Sequence, residues 1–406
     1  MNRRTLLAAL VATALPLPTH ANECANADDL SLLIDQMAAR YAYLPDRHVD
    51  LAKLRAVYLP EICLAPDPRA FLSVLERFLA EFHDHHIEAN TNNGRSPQLV
   101  PTGTDLWASM TGGRAVIEQV RSQSASAKAG VRAGDEVVSI AGVSAGDAVV
   151  AHAPRCLSAP DPEAMDYTLR VLLAGTHDAR RVFVVRGRDS AARTIDLPPM
   201  TREEFATPLA TRSIGDVAYF RIENSLGDTA LIDAFDKALA TIGNARALII
   251  DLRNTPSGGN TAVAEPVMGR FITGRPGYQR VFDPGPGKTF PKDSWVKWVR
   301  ARPPTFTEPL VVLVNRWTGS MGEGMAIGLD GMKRATVVGT RMADLCGATS
   351  QFMLPKNGIG VDFPTERLYH LDGTPRETWR PPVFVDPLTA TGDDPILARA
   401  LKVLNT

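Results

Sequence analysis

Outside its first residues the chain has no apolar run long enough to cross a bilayer, which excludes a helical membrane span there. It has almost no net charge. The 44 Lys and Arg against 45 Asp and Glu leave −1, so no basic face announces nucleic acid or anionic lipid. Cysteine is scarce, with Cys24, Cys63, Cys156 and Cys346 alone, and their spacing is nothing like a zinc site. There is no internal repeat and no low-complexity tract. The 31 Gly and 30 Pro are spread along the chain, so they do not imply disorder. What remains is ordinary globular composition, 45% hydrophobic and 22% charged, in 406 residues, enough for two or three domains with their own cores.

The first residues differ. Met1-Asn2-Arg3-Arg4 is basic, Thr5 to Leu15 is apolar, and Thr19-His20-Ala21 ends on a small residue. This reads as a signal peptide over residues 1–21, cut between Ala21 and Asn22. The expectation is a mature protein exported to the periplasm or beyond, with its cysteines in an oxidising compartment. Four cysteines allow three full pairings, and Cys24–Cys63 is preferred because both lie in the first segment. Whether Cys156 and Cys346 pair is left open.

Three patterns follow one another. Residues 22–100 read as an N-terminal helical domain, with an apolar face at Leu30, Leu32, Leu33, Ile34 and Met37 and a stronger one from Phe71 to Phe82. Asp67-Pro68 opens that second face as a helix start. Residues 101–200 turn strand-like (Ala115 to Val120, Glu136 to Ile140, Arg181 to Arg186). From 206 to 390 strands alternate with helices, which is the signature of an α/β core. The strands expected there are Val217 to Ile222, Ala247 to Leu252, Leu310 to Val314, Val337 to Gly339 and Gln351 to Leu354. Residues 391–406 form the expected C-terminal helix.

Two strand–turn–helix units in the core carry chemistry. In the first, Leu310 to Val314 is a buried strand and a helix begins near Met321, so Ser320 sits at the junction. Its hydroxyl can project into a cleft, with amide groups of the helix start pointing at any nearby negative charge. A nucleophile of acyl transfer needs that setting, although serine is also a common N-cap. In the second unit, Asp251-Leu252-Arg253-Asn254 is followed by Gly258-Gly259. An amide of Gly258 or Gly259 could join that of Met321 as an oxyanion hole. A phosphate loop is disfavoured, because no Gly-Lys-Ser/Thr follows. An esterase elbow is disfavoured too, because Thr318 stands where Gly-x-Ser-x-Gly needs its first glycine.

These motifs resemble those of peptidase family S41, the C-terminal processing and tricorn-like serine peptidases. The match lies in Asp251-Leu252-Arg253-Asn254 with Gly258-Gly259, and in Gly319-Ser320-Met321-Gly322-Glu323. Ser126 to Gly142 is similar to the core of PDZ domains in bacterial proteases. The resemblance implies a multidomain α/β protein: an N-terminal helical segment, a PDZ-like β-rich domain that can take a polypeptide chain by its C-terminus, and a ClpP/crotonase-like peptidase core. It implies no cofactor and no metal.

Ser–Lys processing peptidases carry lysine 25 residues after the serine, where this chain has Leu345. The tricorn-like branch uses histidine instead, and Phe82-His83-Asp84-His85-His86 resembles its Leu-x-Asp-x-His motif. The resemblance thus makes His86 the general base, with His85 or Asp84 as orienting neighbours. It places a late glutamate behind the base, for which Glu377 is the candidate and Glu366 and Asp372 are alternatives. A zinc-binding His cluster and a solvated turn compete for the histidines, and a surface ion pair with Arg376 or Arg380 competes for Glu377. Glu323 reads as a first-turn helix charge. The resulting expectation is an exported serine endopeptidase with a Ser-His-Glu site. The alternative is a non-catalytic peptide- or ligand-binding protein on the same fold.

Overall fold

A computed structural model describes residues 24–188, 190–201 and 204–405. The expected signal peptide lies outside the described residues. Helices α1 (Ala25–Arg40), α2 (Leu51–Cys63) and α3 (Pro68–Ala80) open the chain and pack through Leu33, Met37, Leu54, Phe78 and Phe82. Asp50 and Asp67 cap α2 and α3 by accepting backbone N–H bonds, the role their acidic side chains suit at helix starts. Cys24 and Cys63 are joined by a disulfide, while Cys156 and Cys346 are buried thiols. After a loop over residues 81–87 comes the short strand β1 (Glu88–Ala89).

The next unit is β-rich. Its elements are β2 (Leu106–Thr111), β3 (Arg114–Val120), α4 (Ala125–Lys128), β4 (Glu136–Ile140), β5 (Val143–Ser144), α5 (Ala145–His152), α6 (Pro162–Ala174), β6 (Arg181–Arg186) and β7 (Arg193–Leu197). The antiparallel order is β2-β3-β4-β6-β7, with β5 paired to β4. Alternation along β3 and β6 puts Ala115, Ile117, Phe183 and Val185 on the inner face against α5 and α6.

The remainder comprises β8 (Leu209–Ile214), β9 (Val217–Ile222), α7 (Ala230–Thr241), β10 (Ala247–Asp251), α8 (Thr261–Met268), β11 (Gly277–Phe282), β12 (Trp295–Trp298), β13 (Leu310–Val314), α9 (Met321–Gly331), β14 (Thr336–Gly339), β15 (Ala348–Met353), β16 (Gly360–Tyr369), β17 (Val383–Phe384) and α10 (Pro395–Val403). The core sheet has the order β17-β14-β13-β10-β9-β8, parallel except at its β8 edge. Every residue of β10 and β13 is buried, as expected of strands covered on both faces. Because β10 and β13 are neighbours in parallel register, with Asp251 opposite Leu313, their carboxyl ends deliver the 252–260 and 315–320 turns side by side.

One strand departs from expectation. Residues 348–353 do not extend the core sheet. They pair with β16 in a second sheet that also holds β1, β11 and β12. The alternating burial of β15 suits an antiparallel sheet with one open face, not a central parallel position. Through β1 and β16 this sheet ties the N-terminal helices to the core. The disulfide closes a loop of sequence separation 39, so Cys63→Ser should lower unfolding stability by about 4 kcal/mol, read from urea denaturation of oxidised wild type and variant.

Candidate active site

Ser320 ends the β13 turn, immediately before α9, with φ +47°. For a residue with a Cβ that backbone is strained, so its surroundings must hold it. Its N–H donates to Glu323 Oε2 at 2.8 Å, and the next helical turn closes on its carbonyl through Gly324 N–H. The N–H of Met321, first residue of the helix, has no acceptor among the described residues.

The glycine turn comes up against this serine. Gly258 has φ +65°, and a Cβ there would run into Ser320 Cβ and lie 3.0 Å from both Ser320 Oγ and Met321 N. The two expected amide donors are not equivalent. Gly258 N–H is already given to the Thr255 carbonyl at 3.0 Å, whereas that of Gly259 has no acceptor among the described residues. Gly259 and Met321, with Ser320, line one cleft of about 180 Å³ that also touches Gly324, Leu368 and Arg376.

His86 reaches Ser320 from the N-terminal loop. Its Nε2 lies 3.1 Å from Ser320 Oγ, across 234 residues of sequence. Its Nδ1 lies 2.6 Å from the Cys346 carbonyl, which can only accept, so Nδ1 carries the ring proton in the neutral imidazole. That leaves the Nε2 lone pair facing the serine hydroxyl. Burial, then the nearby Arg376 cation, hold the imidazole pKa down at about 4, against the weaker pulls of the Cys346 carbonyl and of Asp84. Asp84 grips the loop instead of the ring: Oδ1 accepts the His86 backbone N–H at 2.9 Å and Oδ2 the Tyr41 hydroxyl at 2.8 Å.

The other expected neighbours lie elsewhere. His85 turns away, stacked on Tyr167 with ring centroids 4.5 Å apart, and so cannot orient His86. Glu377 is not on Nδ1, because the Cys346 carbonyl occupies that position. It accepts from the Tyr43 hydroxyl at 3.4 Å, and burial raises its pKa. Of the alternatives, Asp372 pairs with His370 and Glu366 lies on the cleft wall. Glu323 does stand in the first turn of α9 as expected, but it faces inward. It is fully buried, and burial pushes its pKa up to about 8 although Arg376 draws it back. Sequence reasoning missed the Cys346 carbonyl and the buried Arg376. No group of residues suited to a metal occurs among the described residues.

Comparison with known proteins decides the family of this cleft. Residues 216–380 match the sequence model of peptidase family S41. The chain carries an S41 peptidase domain. The matched segment holds Ser320 and the glycine turn, while His86 comes from outside it. No curated protein matches the sequence. Among solved structures, the photosystem II D1 C-terminal processing protease is 20% identical with a TM-score of 0.58, covering 94% of this chain and 97% of that one. Mature CPAF is 16% identical with a TM-score of 0.59, covering 94% of this chain and 96% of that one. At such identities these two similarities concern the fold, including parts outside the S41 segment.

The packing of Gly258 on Ser320 makes a direct test. Gly258→Ala should fold, yet lose Ser320 labelling by a fluorophosphonate by about 100-fold or more, since its Cβ must push Ser320 and the Met321 amide aside. Labelling at the wild-type rate would show that the turn does not frame the serine.

Proposed function

We propose that this serine-type peptidase hydrolyses peptide bonds with Ser320 as nucleophile and His86 as general base. The observation that carries the reading is the 3.1 Å approach of a buried, tautomer-fixed imidazole to a serine held at a strained helix start. His86 Nε2 takes the hydroxyl proton as Oγ attacks the substrate carbonyl carbon. The oxyanion faces the Gly259 and Met321 amides, whose N–H groups have no competing acceptor. The imidazolium then protonates the leaving amine. Water repeats the sequence on the acyl-enzyme and restores Ser320.

The general base is held by a carbonyl in this geometry, so the site is a Ser–His pair with Glu377 set back from it. Glu377 lines a charged cavity with Asp84, His85 and Cys346, and its carboxylate would act on His86 through that neighbourhood. The β-rich unit of residues 106–197 is proposed as the PDZ-like module, with Ser126 to Gly142 as its core motif, receiving an extended polypeptide by strand addition. Export follows from the basic and apolar first residues, and a Cys24–Cys63 disulfide suits an oxidising compartment.

Fluorophosphonate labelling tests the nucleophile: the wild-type protein should be labelled at Ser320, and Ser320→Ala should abolish it. His86→Ala should lower peptide turnover by at least about 100-fold. Unchanged turnover in either variant would reject the assignment. The pH profile tests the base. With its pKa depressed to about 4, His86 stays neutral well below the ordinary histidine value, so the acid limb of kcat/KM should fall near pH 4 and not near 6.5. The same depression makes the unfolded chain bind more protons between about pH 4 and 6.5, so His86 contributes stability that is lost as pH falls through that window.

A further inference from the structure

We infer that Arg376 is a positioning residue that holds nucleophile and base in register, by fastening the backbone of Ser320 to the loop that orients His86. The inference rests on the Ser320–His86 reading and adds a residue whose action runs through both of them.

Arg376 opens a short 3-10 turn (Arg376–Thr378) and is 2% exposed. Its Nη1 donates to the Ser320 carbonyl at 3.3 Å, and its Nη2 to the carbonyls of Leu345 and Gly347 at 2.7 Å each. Those two carbonyls flank Cys346, whose own carbonyl takes the Nδ1 proton of His86. One planar guanidinium therefore grips alternate carbonyls of the loop and leaves the middle one for the imidazole. The fork shape matters, because its donors lie in fixed directions that an ammonium does not reproduce.

Ser320 is held from both sides. Arg376 binds its carbonyl and Glu323 binds its N–H, and Glu323 Oε2 is itself 3.8 Å from Arg376 Nη2. A serine kept at φ +47° needs such opposed contacts, since a relaxed backbone would swing the hydroxyl off Nε2. The charged groups acting on the His86 imidazole are Asp84 on its own loop and Arg376 on the 3-10 turn, and the Cys346 and Gly347 backbone faces it from the opposite loop. Among these Arg376 is the cation that disfavours the imidazolium, and Asp84 opposes it.

Two substitutions in the full chain separate geometry from charge. Arg376→Lys keeps the cation and loses the fork. Arg376→Gln loses both. The readouts are the His86 pKa by NMR titration, the rate of Ser320 labelling by a fluorophosphonate, and the melting temperature. We expect labelling to fall by about 100-fold in each variant. The His86 pKa should rise by about one unit in Arg376→Gln and stay near the wild-type value in Arg376→Lys. A wild-type labelling rate in Arg376→Lys overturns the positioning role. An unmoved His86 titration in a folded Arg376→Gln overturns the placement of the cation beside the base. Should Arg376→Gln fail to fold, labelling of Arg376→Lys decides alone. Failure of the underlying reading looks different: the wild-type protein would then resist labelling at Ser320, while the His86 titration would still report whether Arg376 faces the ring.

Discussion

A single contact between groups 234 residues apart, His86 Nε2 on Ser320 Oγ, makes the cleft more than a helix start with a serine in it. Its two ends belong to different parts of the chain, so neither segment carries the geometry alone. The loop bearing His86 is anchored below by Phe82, buried among Tyr41 and Phe78, and beside by Asp84 on the Tyr41 hydroxyl. The serine is anchored by β13, α9 and the Gly258 turn. The sheet of β1, β15 and β16 spans the gap, and the 345–347 segment leading into β15 binds His86 directly and Ser320 by way of Arg376. Ordering a contact across that much chain costs entropy that only packing on this scale can offset.

The environment of the pair also sets its electrostatics. A buried imidazole beside an arginine stays neutral, which is the state a general base must be in before it acts. The same burial that lowers the histidine raises the carboxyls of Glu323 and Glu377, because desolvation disfavours whichever form is charged. Glu323 shows how such a group is used: it accepts a backbone N–H, a bond that either protonation state of its carboxyl can accept.

Much of this was legible in the amino-acid sequence, and the limits are physical. Fully apolar runs such as Leu310 to Val314 could only be buried strands, and the paired glycines after Asp251 required an open turn. Ser320 and His86 stood out through motif resemblance, which concerns side-chain identity. The Cys346 carbonyl could not stand out, because a backbone oxygen is present at every position. Arg376 was weighed only as a partner for Glu377 in a surface pair, since arginine is rarely buried and its role here is to bind carbonyls. The strand expected over Gln351 to Leu354 belongs to β15 in the second sheet and not to the core sheet, because pairing partners are fixed by tertiary contacts, not by local pattern. His85 and His86 looked alike in sequence, yet adjacent side chains on an irregular loop point apart, and only one of them meets the serine.

Under the proposed mechanism, a carbonyl behind the base has a consequence. It fixes the tautomer and ring orientation as a carboxylate would, but it carries no full charge to stabilise the imidazolium formed when Ser320 gives up its proton. Here the cation would also form beside Arg376, in a setting that disfavours it. Two features of the structure can compensate. The Asp84 carboxylate lies on the backbone of the same histidine, and the two amides facing the oxyanion lower the energy of the state in which the imidazolium exists. A modest movement of the 3-10 turn that carries Glu377 toward His86 would add a third compensation. The same turn begins with Arg376, so any such movement would also pull on the Ser320 carbonyl. Under the proposed mechanism, base strength and nucleophile position would then be coupled through two consecutive residues.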